Sequence, residues 1–592
     1  HARHQIMDDV QPKPAAAVTV VRMDEFPGGK VDWEYHPGHE FPGAIGSLTL
    51  VQDGPEAGKP ALKLTGDFSE GGGYVAAVKD LNHNLVNLRM QYKTEDVEMV
   101  TIRMTDATGQ CHQRRRFKLQ ADGKWHELEL KTYKISGADR WGGANDGKWH
   151  GPATWVSIGI PSYAKADTNK YTLYLADIRA EMVPGAEKVV VENLKPVVEK
   201  LDTTVLKASP VTITCRPDFG FDITYRWQAK PLDKNYSIFV HFVDKDGKTL
   251  LQDDHAPPTA TTKWDGLVEY KRTVYLPRWI PRGTQSFPGL TEGKYKICVG
   301  LSDERGRKIL TAGEGVVATD DRRYEIGELV LDKNAPLPEL PPKTLDLTGY
   351  KMTFNEEFND LSVSTWGPCG PEGTRWIAKT PYRGNFGDAR FSEPTEDFPF
   401  TVKDGILRIE AKKMGTRWHS GLLASVDPQG KGFSQKFGYF EMRAKFPEGP
   451  GTWPAFWLHG VSRVTNTVAE LKAQGATVIE IDVLEQYGHW PNKYTCAIHQ
   501  WSFGRQPSSH EGKSLLVPGM TEDFNTYGAL ITEEHIIIYF NGSEIRREKT
   551  PECAKVPLYI MVDLAMGPGW PLDKTPSPQY MYVDYVRAYA KE

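Results

Sequence analysis

Short strand-like runs, each cut off by Gly, Pro, Asn or Asp, follow one another along almost all of this 592-residue chain, and helical periodicity is scarce. With 55 Gly and 41 Pro as punctuation, few stretches are long enough for a stable helix. The expected class is all-β: sandwiches in which one sheet closes on another. One sandwich does not use up this length, so several domains are expected. Residues 1–14, which open on His1-Ala-Arg-His-Gln, read as a disordered or tag-derived terminus. Residues 15–185 form a first strand-rich domain, and 186–202 a charged linker containing Pro and Val. Residues 203–333 form a second domain. A Pro-rich spacer over 334–344 follows, and the last domain spans 345–592.

The net charge of −5 carries no nucleic-acid signature, and no apolar run is long enough to cross a membrane. A monomer is the expected state. Six cysteines are few. Cys215 and Cys298 lie on strand-like runs of one domain, where they either pair across a sandwich or stay as buried thiols. Cys111, Cys369, Cys496 and Cys553 have no metal-ligand or redox spacing.

The run Ala476–Gly488 is apolar enough for a buried strand, yet it carries Glu480, Asp482 and Glu485. Burying acids is costly, so three on one strand point to a task. Glu480 and Asp482, two apart, share a face. Glu485 is an odd number of steps from Glu480 and falls on the other face, unless a bulge inserts one extra residue and brings it back. With that bulge, the Glu480 and Glu485 Cα atoms stand roughly 13 Å apart at the usual rise per residue. Inward-leaning side chains then reach the gap of about 5–5.5 Å used in retaining glycoside hydrolysis. In this reading Glu480 is the nucleophile and Glu485 the general acid and later base. Asp482 holds Glu480 in place and helps keep Glu485 protonated. Solvated edge acids or a cation site are the competing readings, although calcium loops are irregular and rich in Gly, Asp and Asn.

From about Tyr350 onward the chain resembles glycoside hydrolase family 16. The resemblance rests on an ordered set of motifs: Phe354-Asn-Glu-Glu-Phe-Asn-Asp360, Val402-Lys-Asp-Gly-Ile-Leu-Arg-Ile-Glu410, Lys436-Phe-Gly-Tyr-Phe-Glu-Met-Arg-Ala-Lys445, Gly451-Thr-Trp-Pro-Ala-Phe-Trp-Leu458, the Glu480–Glu485 triplet, Asp563-Leu-Ala-Met-Gly567 and Met581–Tyr589. It implies a β-jelly-roll sandwich with a concave cleft, retaining chemistry and no catalytic cofactor. It assigns the same roles to Glu480, Asp482 and Glu485. It also implies a structural calcium on the convex face at Asp584, for which a plain surface aspartate is the alternative. A polysaccharide is the implied partner, and a secreted, periplasmic or cell-surface location is expected.

The first domain is similar in plan to jelly-roll carbohydrate-binding modules. Its Trp141, Trp149, Trp155 and Tyr163 are either a sugar platform or core. The second domain, with a hairpin signal at Asp244-Lys-Asp-Gly247, looks Ig-like and reads as a spacer.

Aromatic platforms suit the apolar faces of sugars. Trp453 and Trp457, four apart, share a face of a regular strand, and Trp453 is the first choice for a sugar contact. His499 is expected to hydrogen-bond the substrate or the acids. Trp376 and Trp501 are further candidates, with core packing as the alternative for each. Where many glucanases of the family carry a polar motif ahead of the 402–410 strand, this chain has Arg375–Phe391, with Arg375, Lys379, Arg383 and Arg390 among aromatics. Arg417, His419 and Arg505 add cations on other expected cleft loops. Guanidinium groups match planar oxyanions. The resemblance, narrowed to the carrageenase- and furcellaranase-like members, therefore favours a sulfated galactan substrate. A β-1,3- or mixed-linkage glucan, agar or porphyran are the alternatives. A non-catalytic polysaccharide-binding protein is the reading from a different class.

Overall fold

The computed structural model describes residues 19–26, 29, 31–38, 43–83, 85–131, 139–143, 147–165, 168–182, 200–282, 285–303, 306–567 and 569–592. The expected terminus 1–14 and most of the 186–202 linker lie outside these residues. Strands make up nearly all of the regular structure, as the all-β class requires. Two compact units are present. The first gathers the chain up to Thr212 with Ile223–Arg272 and Tyr295–Leu329. The second gathers Ile213–Asp222, Thr273–Lys294 and Val330–Glu592. Two pieces of the 203–333 region thus group with the last 260 or so residues of the chain.

In the first unit, two six-stranded sheets enclose a core of Leu62, Leu64, Leu88, Ile102, Ile158 and Leu173. Ala61–Asp67 shows the cause: its buried and half-buried residues alternate, so one face of the strand turns to the core. The four aromatics weighed as a sugar platform or core differ in burial and neighbours. Trp155 is buried with Tyr74, Ala76 and Val78. Trp149 packs on the core beside His112, Trp141 lies under the Arg103 guanidinium, and Tyr163 is half-buried. All six cysteines are free thiols, Cys215 and Cys298 included.

The second unit contains a sandwich. One sheet has ten strands. The other has eight, which in chain order are β1 (Val363–Ser364), β2 (Trp376–Ile377), β3 (Leu422–Ala424), β4 (Thr452–Gly460), β5 (Thr477–Tyr487), β6 (Trp490–Ser502), β7 (Ser509–Leu516) and β8 (Leu558–Met566). Their spatial order is β1-β2-β3-β8-β4-β5-β6-β7. Phe456, Leu458, Ile479, Ile481 and Val483 of this sheet meet Phe440, Met442, Ile538, Val583 and Val586 of the ten-stranded sheet in the main core. On β4 the alternate residues Ala455, Trp457 and His459 point to the other face. That face is covered in part by Tyr382 and Phe386 of the 379–391 loop, so β4 is apolar on both sides.

The short helix Val468–Gln474 delivers the chain into β5. Thr467 and Glu470 form a capping box at its start, and Gly475 ends it with φ 59°, a conformation glycine adopts without strain. At the far end of β5, the turn to β6 is held by His489. Its Nδ1 accepts from Gly451 N at 3.0 Å, and its Nε2 lies 3.0 Å from Ser286 Oγ. Asn492 Nδ2 donates to Asp218 O at 3.1 Å. Both Ser286 and Asp218 come from the segments of the 203–333 region that belong to this unit.

Candidate active site

Strand β5 carries the three acids between two hydrogen-bonded neighbours, β4 and β6. Across β4, His459 pairs with Glu480, Trp457 with Asp482 and Ala455 with Glu485. The register slips by one between Asp482 and Glu485: Asp482 opposes Ala497 and Glu485 opposes Thr495, so Val483 and Leu484 together face Cys496. This is a β-bulge, and both extra-step residues are fully buried in the main core. The inserted residue returns Glu485 to the face that carries Glu480 and Asp482.

Each acid has its own supports. Glu480 Oε2 accepts from Trp501 Nε1 at 3.0 Å, and His459 Nε2 stands 3.5 Å away. Asp482 Oδ2 lies 2.9 Å from His499 Nε2. Glu485 Oε1 accepts from both Trp453 Nε1 at 2.8 Å and Tyr487 Oη at 3.2 Å, which leaves Oε2 as the oxygen able to carry a proton outward. A second layer holds these partners. His499 Nδ1 is 2.8 Å from His510 Nδ1, and His499 stacks on Trp501 at 5.5 Å. Trp457 Nε1 donates to Asp563 Oδ1 at 2.8 Å, and Ala565 N donates to its Oδ2 at 3.1 Å.

Burial shapes the protonation of the group. Burial first, and then the charge of Asp482, push Glu480 up to about 8. Asp482 is driven well above the carboxylate range by burial and by Glu485. Glu485 is raised by burial, with the Trp453 and Tyr487 hydrogen bonds acting the other way. Buried Asp482 and half-buried Glu480 and Glu485 repel one another's charge and share protons instead of all ionising, so one can serve as acid while another is a nucleophile. Burial holds His459 neutral, down to about 3, and raises fully buried Asp563 to about 8.

Among the described residues, Glu480, Asp482 and His499 are also the group whose ligand atoms, all within 4.8 Å of one another, match a cation site. Their hydrogen bonds to Trp501 and to each other account for the same arrangement without an ion.

The other expected contacts divide. Trp453 is half-buried beside Glu485, with Tyr487 stacked on it at 6.4 Å. Trp501 is 36% exposed and touches Glu480. Trp457 shares the cleft-side face but is only 6% exposed beneath Phe386, so it is floor. Two expectations are corrected. Trp376 is fully buried in the main core, its N–H donated to Glu356 Oε2 at 2.9 Å, so it offers no face to a sugar. Arg375 is clamped by the same Glu356 oxygen at 2.7 Å and by Asp360 Oδ1 at 2.5 Å, so its charge is already matched. Arg383, Arg390 and Arg505 are exposed and reach no carboxylate among the described residues. Lys379 donates to Phe391 O at 2.5 Å, and His419 Nδ1 is 3.1 Å from Ser392 Oγ. Arg417 is exposed. Asp584, expected to hold calcium, pairs with the Arg443 guanidinium through Oδ2.

His459, Tyr487, His510 and Asp563 escaped the sequence reading. His459 had a signal, because it follows Trp457 by two on the same strand face. Tyr487 bears the same relation to Glu485. His510 and Asp563 reach the site only through strand pairing.

The family model for glycosyl hydrolases family 16 matches residues 395–587, which include all three acids. A β-glucanase of Rhodothermus marinus is 30% identical over 203 residues, which is 32% of this chain and 69% of that protein. The chain belongs to glycosyl hydrolases family 16. The endo-1,3-1,4-β-glycanase EglC of Rhizobium meliloti (strain 1021) is 32% identical over 275 residues, 42% of this chain and 53% of its own length. The keratan-sulfate endo-1,4-β-galactosidase of Sphingobacterium multivorum is 26% identical over 264 residues, 42% of this chain and 56% of its own. The chain therefore spans about half the length of these last two relatives. The family 16 match covers most of the strands that make the cleft-side sheet, β3 to β8 among them.

Proposed function

We propose that this chain is an endo-acting, retaining β-glycoside hydrolase. The observation that carries the reading is the bulged strand β5, which brings Glu480, Asp482 and Glu485 to one face with separate supports for each. In the first step Glu480 attacks the anomeric carbon. Glu485 gives its proton to the departing glycosidic oxygen, and a covalent glycosyl-enzyme forms. In the second step Glu485, now ionised, takes a proton from water as the water attacks. Glu480 is released, and the configuration at the anomeric carbon is retained. Trp501 and neutral His459 flank the Glu480 oxygen that becomes the leaving carboxylate. No cofactor enters either step.

The proposed substrate is a sulfated β-galactan of carrageenan or furcellaran type. Arg383, Arg390 and Arg505 support this: they are cations without carboxylate partners among the described residues, in a chain whose net charge is negative. The named activity of one relative, on a sulfated polymer through a β-galactosidic bond, is consistent with it. A second reading, a β-1,3- or mixed-linkage glucanase, is favoured by the names of the EglC and Rhodothermus relatives. We place the enzyme outside the cytoplasm or at the cell surface, where such polymers occur, and as a monomer.

A reducing-end assay over carrageenan, furcellaran, agar, laminarin and lichenan tests this. New reducing ends from the sulfated galactans support the substrate claim. Release from laminarin or lichenan alone moves the assignment to the glucanase reading. No release from any polymer by a folded protein would remove the hydrolase assignment.

A further inference from the structure

Arg463 lies three residues beyond the end of β4, in a single helical turn, Ser462–Thr465. Its guanidinium carbon is 4.8 Å from the centre of the Tyr382 ring and 5.9 Å from that of Phe503. Tyr382 in turn lies 5.7 Å from the His459 ring, and His459 Nε2 is 3.5 Å from Glu480 Oε2. Two rings therefore separate this cation from the nucleophile.

Arg383, Arg390 and Arg505 also lack a carboxylate but are exposed; among arginines partly withdrawn from water, the surroundings of Arg463 differ from those of its neighbours in the sandwich. Arg375 reaches Glu356, Arg443 reaches Asp584, Arg546 reaches Glu548 and Arg587 reaches Glu357. Arg463 is half-buried and reaches no carboxylate among the described residues. Aromatic faces attract a guanidinium but leave its N–H groups in the ring plane unsatisfied. A partly desolvated cation without a counter-ion is costly unless something supplies the counter-charge. Its charge reaches the cleft floor: it opposes protonation of His459, and at Tyr382 it acts against the burial that raises the phenol.

We propose that Arg463, braced between Tyr382 and Phe503, binds an oxyanion substituent, a sulfate ester or a carboxylate, on the sugar seated against Glu480. The planar guanidinium presents paired N–H donors that match two oxygens of such a group. The aromatic braces fix the fork before the substrate arrives, so little rotamer entropy is lost on binding. The inference rests on the anionic-polymer reading of the substrate and narrows it to one residue and one end of the acid row. A neutral glucan gives Arg463 nothing to bind.

The test compares wild type, Arg463→Gln and Arg463→Lys on three polymers: a sulfated β-galactan, the same polymer after chemical desulfation, and a β-glycan carrying carboxylates. Thermal unfolding of each variant reports its folding. With sulfate as the ligand, Arg463→Gln loses roughly 10–100-fold in kcat/KM on the sulfated polymer, the range of a lost charge-assisted hydrogen bond. Most of the loss appears in KM, and the change on the desulfated polymer is less than about threefold. Arg463→Lys, which keeps a point charge, falls in between. A selective loss on the carboxylated polymer instead assigns the anion as a carboxylate. Equal losses on charged and neutral polymers in both variants overturn the Arg463 assignment while leaving the anionic-substrate reading intact. A wild-type enzyme confined to neutral polymers overturns both.

Discussion

The indole N–H of Trp453 donates to Oε1 of Glu485 at 2.8 Å, from a strand that is hydrogen-bonded to the one carrying the acid. Tyr487 donates to the same oxygen. Both bonds favour the ionised carboxylate and so work against the burial that raises Glu485. In Trp453→Phe the ring remains and the donor is lost. Glu485 then holds its proton to higher pH, and the alkaline limb of kcat/KM moves up by about one pH unit, the scale of one charge-assisted hydrogen bond. A pH profile of wild type and variant on one substrate checks this. A limb that moves down would mean that Glu485 is not the acid.

The two glutamates should respond differently to an external nucleophile. Glu480→Gly and Glu485→Ala each lose about a thousandfold or more in kcat, because each removes a group that acts in the transition state. Azide then enters from opposite faces. With Glu480→Gly and an aryl β-glycoside carrying a good leaving group, it occupies the room left by the nucleophile, displaces the aryloxide and gives an α-glycosyl azide. With Glu485→Ala it intercepts the glycosyl-enzyme and gives a β-glycosyl azide. NMR of the products assigns the roles. A β-azide formed only by the Glu480 variant would exchange them.

His510 touches two supports at once: its Nδ1 meets His499 Nδ1, and its ring lies 4.7 Å from that of Trp501. Only one of the two Nδ1 atoms can donate across this contact, so His510 ties the tautomer of His499 to its own. His510→Ala is expected to lower kcat roughly fivefold, the worth of about one net hydrogen bond, with KM nearly unchanged. His510→Asn, whose amide can still donate, should recover part of the loss. A fall confined to KM would mean that His510 binds substrate instead.

Trp376 and Arg375 belong to stability. Trp376→Ala leaves a large cavity in the main core and removes a donor from buried Glu356, for a cost of about 3–5 kcal/mol. Substrate preference should be untouched in Arg375→Ala. Denaturant unfolding and the polymer panel together check the pair, and a change in sulfate preference without loss of stability would return Arg375 to the cleft.

Buried His489 is pushed down to about 4, from an unfolded value near 6.5. Above that unfolded value both states hold the ring neutral. As pH falls from about 6.5 toward 4, the unfolded chain takes up a proton that the folded one refuses, so stability falls. Asp563, raised to about 8, acts in the other sense, costing stability as pH rises from about 4. The histidine part is therefore read as the difference between wild type and His489→Gln in urea midpoints at pH 7, 6 and 5. The gap should narrow as pH falls, and a constant gap would show that His489 is not the group.

Much of the catalytic strand was legible because strand geometry is local. The parity of Glu480, Asp482 and Glu485 demanded one inserted residue, and the two buried residues Val483 and Leu484 supply it. The all-β class followed from the spacing of Gly and Pro. Arg375 and Trp376 were misread because a cation beside an aromatic looks the same in sequence at a cleft or over a core. What decides between them is Glu356, 19 residues from Arg375 and at the end of the strand Tyr350–Glu356. His510 was invisible for a like reason: it meets His499 only because β6 and β7 pair in that register. Asp584 was read from its place in a motif, while its partner Arg443 lies 141 residues earlier in the chain.

The slip at Val483 and Leu484 also changes the phase of β5. Before it, even-numbered Glu480 and Asp482 look into the cleft; after it, odd-numbered Glu485 and Tyr487 do. The distance between nucleophile and acid is thus quantised by the backbone. Deleting either Val483 or Leu484 would remove the extra residue with the bulge and leave Glu480, Asp482 and Glu485 at regular two-step spacing, still on one face. Inserting one more residue beside them would turn Glu485 and Tyr487 toward the core and send their apolar neighbours outward. Along these six residues, an added residue must bring a bulge of its own to keep the acids on one side.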